Sequence, residues 1–79
     1  MTQPIPLPQL RPGQQGIIVR VDGYGLPRRR YLELGLVKGE TVCAERVAPL
    51  GDPVAYRIKG YTLSLRREEA EHIHVVPLP

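Results

Sequence analysis

The 79-residue chain has no phenylalanine and no tryptophan, and it has a single methionine and a single cysteine. Without the large aromatics the core must be built from valine, leucine and isoleucine. The four tyrosines (24, 31, 56 and 61) each bring a hydroxyl that needs water or a partner when buried. The lone Cys43 excludes an internal disulfide, and no charged segment followed by an apolar one opens the chain, so a cytoplasmic protein is expected. Long hydrophobic runs are also missing. The longest strongly apolar stretch is Ile17-Ile18-Val19, against the roughly 18 residues of a spanning helix. Any membrane association is therefore expected to be indirect, through a partner. Neither sign of charge dominates: 11 Lys and Arg against 8 Asp and Glu leave a net +3, short of the field of a dedicated nucleic-acid binder.

Glycine (8) and proline (9) are abundant. A chain this short supports one core, and a single core of this size stabilises by only about 3–5 kcal/mol. Residues 1 to 9 carry Pro4, Pro6 and Pro8, which remove backbone donors and favour extended geometry; they read as a proline-rich tail ahead of one domain over residues 10 to 79.

From Gly16 to Asp22 a period of two puts Ile17, Val19 and Val21 on one face and Ile18, Arg20 and Asp22 on the other, which predicts a strand. Residues 26 to 34 follow as a short helix with Pro27 in its first turn and Gly35 as its stop. Further strands are expected over residues 40 to 47, 54 to 59 and 61 to 65, the last two joined by a tight reversal at Lys59-Gly60. A helical turn over residues 67 to 71 precedes a fifth strand, 72 to 76, with Ile73 and Val75 inward. Five short strands linked by local turns predict an all-β fold, a small five-stranded SH3-like barrel, because closure removes edges that so small a sheet cannot protect.

The candidate chemical groups form no catalytic set. Gly23-Tyr24-Gly25 lies between strand and helix but lacks a third glycine at the required offset, and no Gly-Lys-Ser/Thr exists. Cys43 with His72 or His74 has no orienting third group, so Cys43 reads as a small buried apolar residue and the chain as no enzyme. His72 and His74 share a strand face and are the weak candidates for a metal, but two ligands without a fixed third hold none; no metal and no cofactor are expected. Arg28, Arg29 and Arg30 form the one basic run. They support an alternative reading, a small nucleic-acid-binding barrel, but interleaved stacking aromatics are missing and no specific nucleic acid is expected.

Several spaced motifs occur in order: Leu10-x-Pro12-Gly13-x-x-Gly16; Arg30-x-Leu32-Glu33-Leu34-Gly35-Leu36-x-x-Gly39; Ala48-Pro49-Leu50-Gly51-Asp52-Pro53; and Gly60-x-x-Leu63-x-Leu65-Arg66-x-x-Glu69-Ala70. Together they resemble the FeoA family over residues 7 to 76. The resemblance implies a small cytosolic SH3-like protein of bacterial ferrous iron uptake. It also implies a partner, FeoB, the membrane transporter whose cytosolic part is a GTPase. Iron- and manganese-dependent repressors carry a related SH3-like domain, but this chain has no room for their helix-turn-helix. The candidate partner-binding residues are the helix arginines Arg28 and Arg29, the helix-exit residue Leu36, and the loop tip Leu50-Gly51-Asp52, with Asp52 expected to fix its own turn.

Overall fold

The computed structural model describes residues 3–79; residues 1 and 2 of the expected tail lie outside the described residues. Six strands, β1 (Ile5–Pro6), β2 (Gln15–Val21), β3 (Thr41–Val47), β4 (Val54–Ile58), β5 (Tyr61–Leu65) and β6 (Ile73–Pro77), pair antiparallel in the order β1-β6-β2-β3-β4-β5. Helix α1 (Gly25–Glu33) joins β2 to β3, and the four-residue α2 (Arg67–Ala70) joins β5 to β6. This is the expected SH3-like barrel, with all five expected strands and one short strand more.

The extra strand corrects the reading of residues 5 to 9 as tail. Ile5 pairs with Val75 and Pro6 with His74. Proline's missing N–H is tolerated there because β1 is an edge strand. The chain then makes one 3-10 turn over Leu7–Gln9, closed by Leu10 N–H donating to the Leu7 carbonyl at 3.0 Å. That turn drives Leu7 and Leu10 into the core, Leu7 with no exposed surface. From β4, the buried Tyr56 hydroxyl reaches across to the Leu7 carbonyl at 3.5 Å, and burial pushes its pKa up to about 12. The folded unit thus begins near residue 5.

In β2 the period of two is broken. Ile18 opposes Val75 but Arg20 opposes His74, so Val19 is an extra residue in the β2–β6 pair. A bulge reverses the parity of the residues after it. Ile18 is therefore buried while Val21, three residues on, also packs against the core. Gly16 opposes Pro77 on the same strand pair, and a Cβ there would lie 3.1 Å from the Val75 Cβ, so the bare backbone admits the Val75 side chain.

Helix α1 starts without a side-chain cap and ends on a well-formed one. Gly35, at φ +92°, sends its N–H to the Leu32 carbonyl and turns the chain so that Leu36 N–H reaches the Tyr31 carbonyl, both at 3.0 Å. This is the Schellman pattern, which normally brings the residues at its two ends together. Tyr31 and Leu36 are both buried here. Gly35→Val places a β-branched residue at positive φ, where ordinary side chains cost about 1–3 kcal/mol. The added Cβ would also meet Lys59 Cδ and Tyr61 Oη at 3.4 Å. The melting temperature is expected to fall by about 4–8 °C per kcal/mol lost; an unchanged midpoint would contradict the cap.

The β4–β5 hairpin turns on Lys59 and Gly60, both at positive φ (51° and 83°), with Ile58 paired to Tyr61. Positive φ at both central residues matches the right-handed strand twist. Strand β3 buries Val42 and Ala44, which leaves Cys43 on the opposite face, half-buried, rather than in the core as expected.

Candidate partner-binding surface

Of the expected contact residues, Leu36 is not on the surface at all: it is fully buried, because the Gly35 turn folds it back over the helix end. Position after a helix looked like exposure and is in fact a core position. It leaves the candidate set.

The β3–β4 loop does present an apolar tip. Gly51 N–H donates to the Ala48 carbonyl at 2.8 Å and Ala48 N–H to the Pro53 carbonyl at 3.0 Å, and the closed loop leaves Leu50 96% exposed. Asp52 does not fix this turn through its own backbone. Its Oδ1 accepts the Arg67 N–H at 2.8 Å and its Oδ2 lies 3.6 Å from Arg66, so it caps α2 from a distant loop. A carboxylate at a helix start satisfies one of its free donors. Glu69 completes that start, accepting Arg66 N–H at 3.0 Å on one oxygen and facing Arg30 at 2.5 Å with the other. Helix α2 is thereby tied both to the β3–β4 loop and to α1.

The three arginines of α1 have separate surroundings. Arg30 is paired with Glu69, Arg28 Nε donates to the Val21 carbonyl at 3.3 Å, and Arg29 is exposed. Sequence reasoning missed the apolar residues beside them. Tyr24 is 88% and Leu26 75% exposed at the start of α1, and with Gly23, Pro27, Tyr31 and His72 they line a shallow groove of about 460 Å³. A signal existed: Tyr24 stands between two glycines and Leu26 directly ahead of a proline at the expected helix start, two large side chains that no alternating pattern directs inward. Exposed apolar side chains gathered beside polar ones mark contact surfaces.

His72 and His74 do not form a pair. The His72 ring stacks on Tyr31, with centroids 6.2 Å apart, whereas His74 Nε2 lies 2.8 Å from Asp22 Oδ2, which Arg20 also contacts. Among the described residues no three His, Cys, Asp or Glu side chains converge on a point. No described helix is long and apolar enough to cross a membrane.

Partial desolvation raises the Asp22 carboxyl, but hydrogen bonds and charge from Arg20 and His74 outweigh it and hold the pKa below its ordinary value. Glu45 is also lowered, chiefly by its hydrogen bond from Thr62 at 2.7 Å, with desolvation opposing and Arg57 assisting. Both carboxyls hold protons more weakly folded than unfolded. Their contribution to stability is therefore complete above the ordinary carboxylate range and is lost as pH falls below about 4. Thermal midpoints measured from pH 6 to pH 2 should fall on the acid side, and Asp22→Asn with Glu45→Gln should flatten that limb. An acid limb unchanged by the double substitution would contradict the assignment.

Known proteins share this architecture and these motifs. A family model described as the FeoA domain matches residues 5–77. The Fe(2+) transport protein A/Fe(2+) transporter FeoB fusion protein of Porphyromonas gingivalis is 52% identical over 69 residues, which is 87% of this chain but 8% of that protein. The solution structure of a FeoA-like protein from Clostridium acetobutylicum superimposes with a TM-score of 0.90 at 35% identity, over 100% of this chain and 92% of that one. Stenotrophomonas maltophilia FeoA, described with bound zinc as a prokaryotic SH3 domain protein, gives a TM-score of 0.76 at 29% identity, over 95% and 88% of the two chains. Fold, match length and identity agree with the motifs read from the sequence: the chain belongs to the FeoA family.

Proposed function

We propose that the chain is a non-enzymatic accessory protein of ferrous iron uptake that binds the cytosolic GTPase part of a FeoB-type membrane transporter. The observation that carries this reading is the Porphyromonas relative, in which a protein like this one and the transporter are a single polypeptide. Covalent joining turns an encounter between two chains into an intramolecular one at raised effective concentration, which is useful only where the two parts meet.

The surface supports contact rather than catalysis. Leu26 is held on α1 and Leu50 on a closed loop, so both are apolar anchors presented at low entropic cost, with Tyr24 exposed just ahead of the helix. Arg28 and Arg29 add charge at the edge of the α1 anchors, where it steers association and sets orientation. With Arg30 occupied by Glu69, the basic run offers a phosphate backbone less than its composition suggests.

The test is ferrous iron uptake in a strain lacking its own FeoA but retaining a transporter whose natural partner this chain replaces. Expression of the chain is expected to restore uptake, and Leu50→Asp to weaken the restoration while circular dichroism stays unchanged. Failure of the folded wild-type chain to restore uptake would remove the reading.

A further inference from the structure

The surroundings of Leu26 are unlike on its two sides. At 100° per residue, Leu26 lies on α1 between Arg29 on one flank and Arg30 and Pro27 on the other. The first flank opens on a groove lined by Gly25, Leu26, Arg28, Arg29 and Leu32, the second on one lined by Leu26, Arg30, Tyr31, Glu68, Glu69 and His72. An exposed apolar ridge thus has two cations on one side and a carboxylate-bearing helix on the other. Arg30 is already paired with Glu69, so the second side keeps Glu68 as its exposed charge.

We infer that this ridge is a self-association surface, and that a second copy of the chain docks on it about a two-fold axis. A two-fold axis lying in the interface, across the line from cations to carboxylates, sets the Arg28 and Arg29 side of each copy against the Glu68 side of the other. Leu26 and Tyr24 of both copies meet at the centre. Such an isologous contact requires a patch complementary to itself, and this one is. A bilayer with anionic headgroups would meet Arg28 and Arg29 favourably but would be repelled by Glu68, so the two-signed rim favours a protein surface. The chain itself carries the matching charges. The contact is small, two large apolar side chains per copy, and so belongs among weak, concentration-dependent associations. It stands independently of the transporter reading. If both hold, the same residues serve both contacts, and high concentrations of the chain occlude its own docking site.

Sedimentation velocity of the full chain from about 10 μM to 1 mM tests the inference. A concentration-dependent rise in sedimentation coefficient is expected, reduced by high salt, which screens partly exposed charge pairs. Arg28→Glu with Arg29→Glu, and separately Glu68→Arg, should each weaken association about ten-fold through like-charge contact. Combining the three changes should restore association to near the wild-type strength, because each swapped side again meets its opposite. Circular dichroism of every variant confirms the fold. A wild-type chain that stays monomeric throughout, or an association that the single swaps leave unchanged or the combined swap fails to restore, would overturn the proposal. Vesicles of neutral lipid with and without anionic lipid serve as the second arm: binding to the anionic vesicles that is lost in the Arg28→Glu, Arg29→Glu variant, with no self-association, would assign the ridge to a membrane instead.

Discussion

Leu7→Ala is expected to cost about 2–5 kcal/mol of folding stability, the range for emptying a buried leucine site. Domains of this size are stabilised by roughly 0.05–0.15 kcal/mol per residue. The substitution therefore removes a large fraction of the total. Leu7 is fully buried, sits on the 3-10 turn that follows β1, and offers its carbonyl to the Tyr56 hydroxyl from the opposite part of the sheet. The cavity left behind is bounded by ordered strands on several sides, so little collapse can relieve it. Deletion of residues 1 to 9 should be worse, since it also removes the strand paired to β6 and exposes that edge. Urea unfolding followed by circular dichroism measures both. A truncated chain as stable as the full one would restore the reading of residues 5 to 9 as a tail.

Leu26→Asp is expected to leave the melting temperature within a few degrees of wild type and to abolish most restoration of ferrous uptake. The side chain is three-quarters exposed, so the folded state loses little packing when it is replaced. A carboxylate in the centre of an apolar interface must be desolvated without a partner, and that penalty outweighs any attraction it makes there. Tyr24→Ser should act in the same direction and less strongly, because the glycines on either side of Tyr24 leave that side chain freer to move aside. Uptake of labelled ferrous iron, read beside expression level and melting temperature, separates loss of binding from loss of fold. Full uptake by a folded Leu26→Asp protein would remove the α1 ridge from the interface with the transporter.

Local rules carried the reading of the β4–β5 hairpin and of the α1 exit. Val54, Tyr56 and Ile58 alternate cleanly, Lys59-Gly60 fits a two-residue turn, and Gly35 follows the last helical residues; each is decided by neighbours in the chain. The features that were not legible depended on contacts distant in sequence. A two-residue strand among prolines has no period to detect, and β1 exists because β6 lies beside it. The Val19 bulge hides in an apolar triplet where either parity looks acceptable, and only the paired strand chooses. Leu36 looked exposed because the helix ends before it, while the hydrogen bond to Tyr31 folds it inward. Asp52 looked like a turn residue, yet its acceptor capacity is used by Arg67, 15 residues away. The Tyr24 and Leu26 ridge went unread for a different reason: neither residue belongs to an alternating pattern, and only the assembled core shows that it has no place for them.

The central proposal is a direct contact with a FeoB-type transporter, and calorimetric titration of the chain into the purified cytosolic GTPase part of such a transporter tests it most directly. The titration is run with the GTPase loaded with GDP and, separately, with a non-hydrolysable GTP analogue. Saturable one-to-one binding in at least one nucleotide state is predicted, weakened at least about ten-fold by Leu26→Asp, as expected for loss of a central anchor. Absence of binding in both nucleotide states at concentrations approaching about 1 mM, the weak limit for a specific contact, would contradict the account.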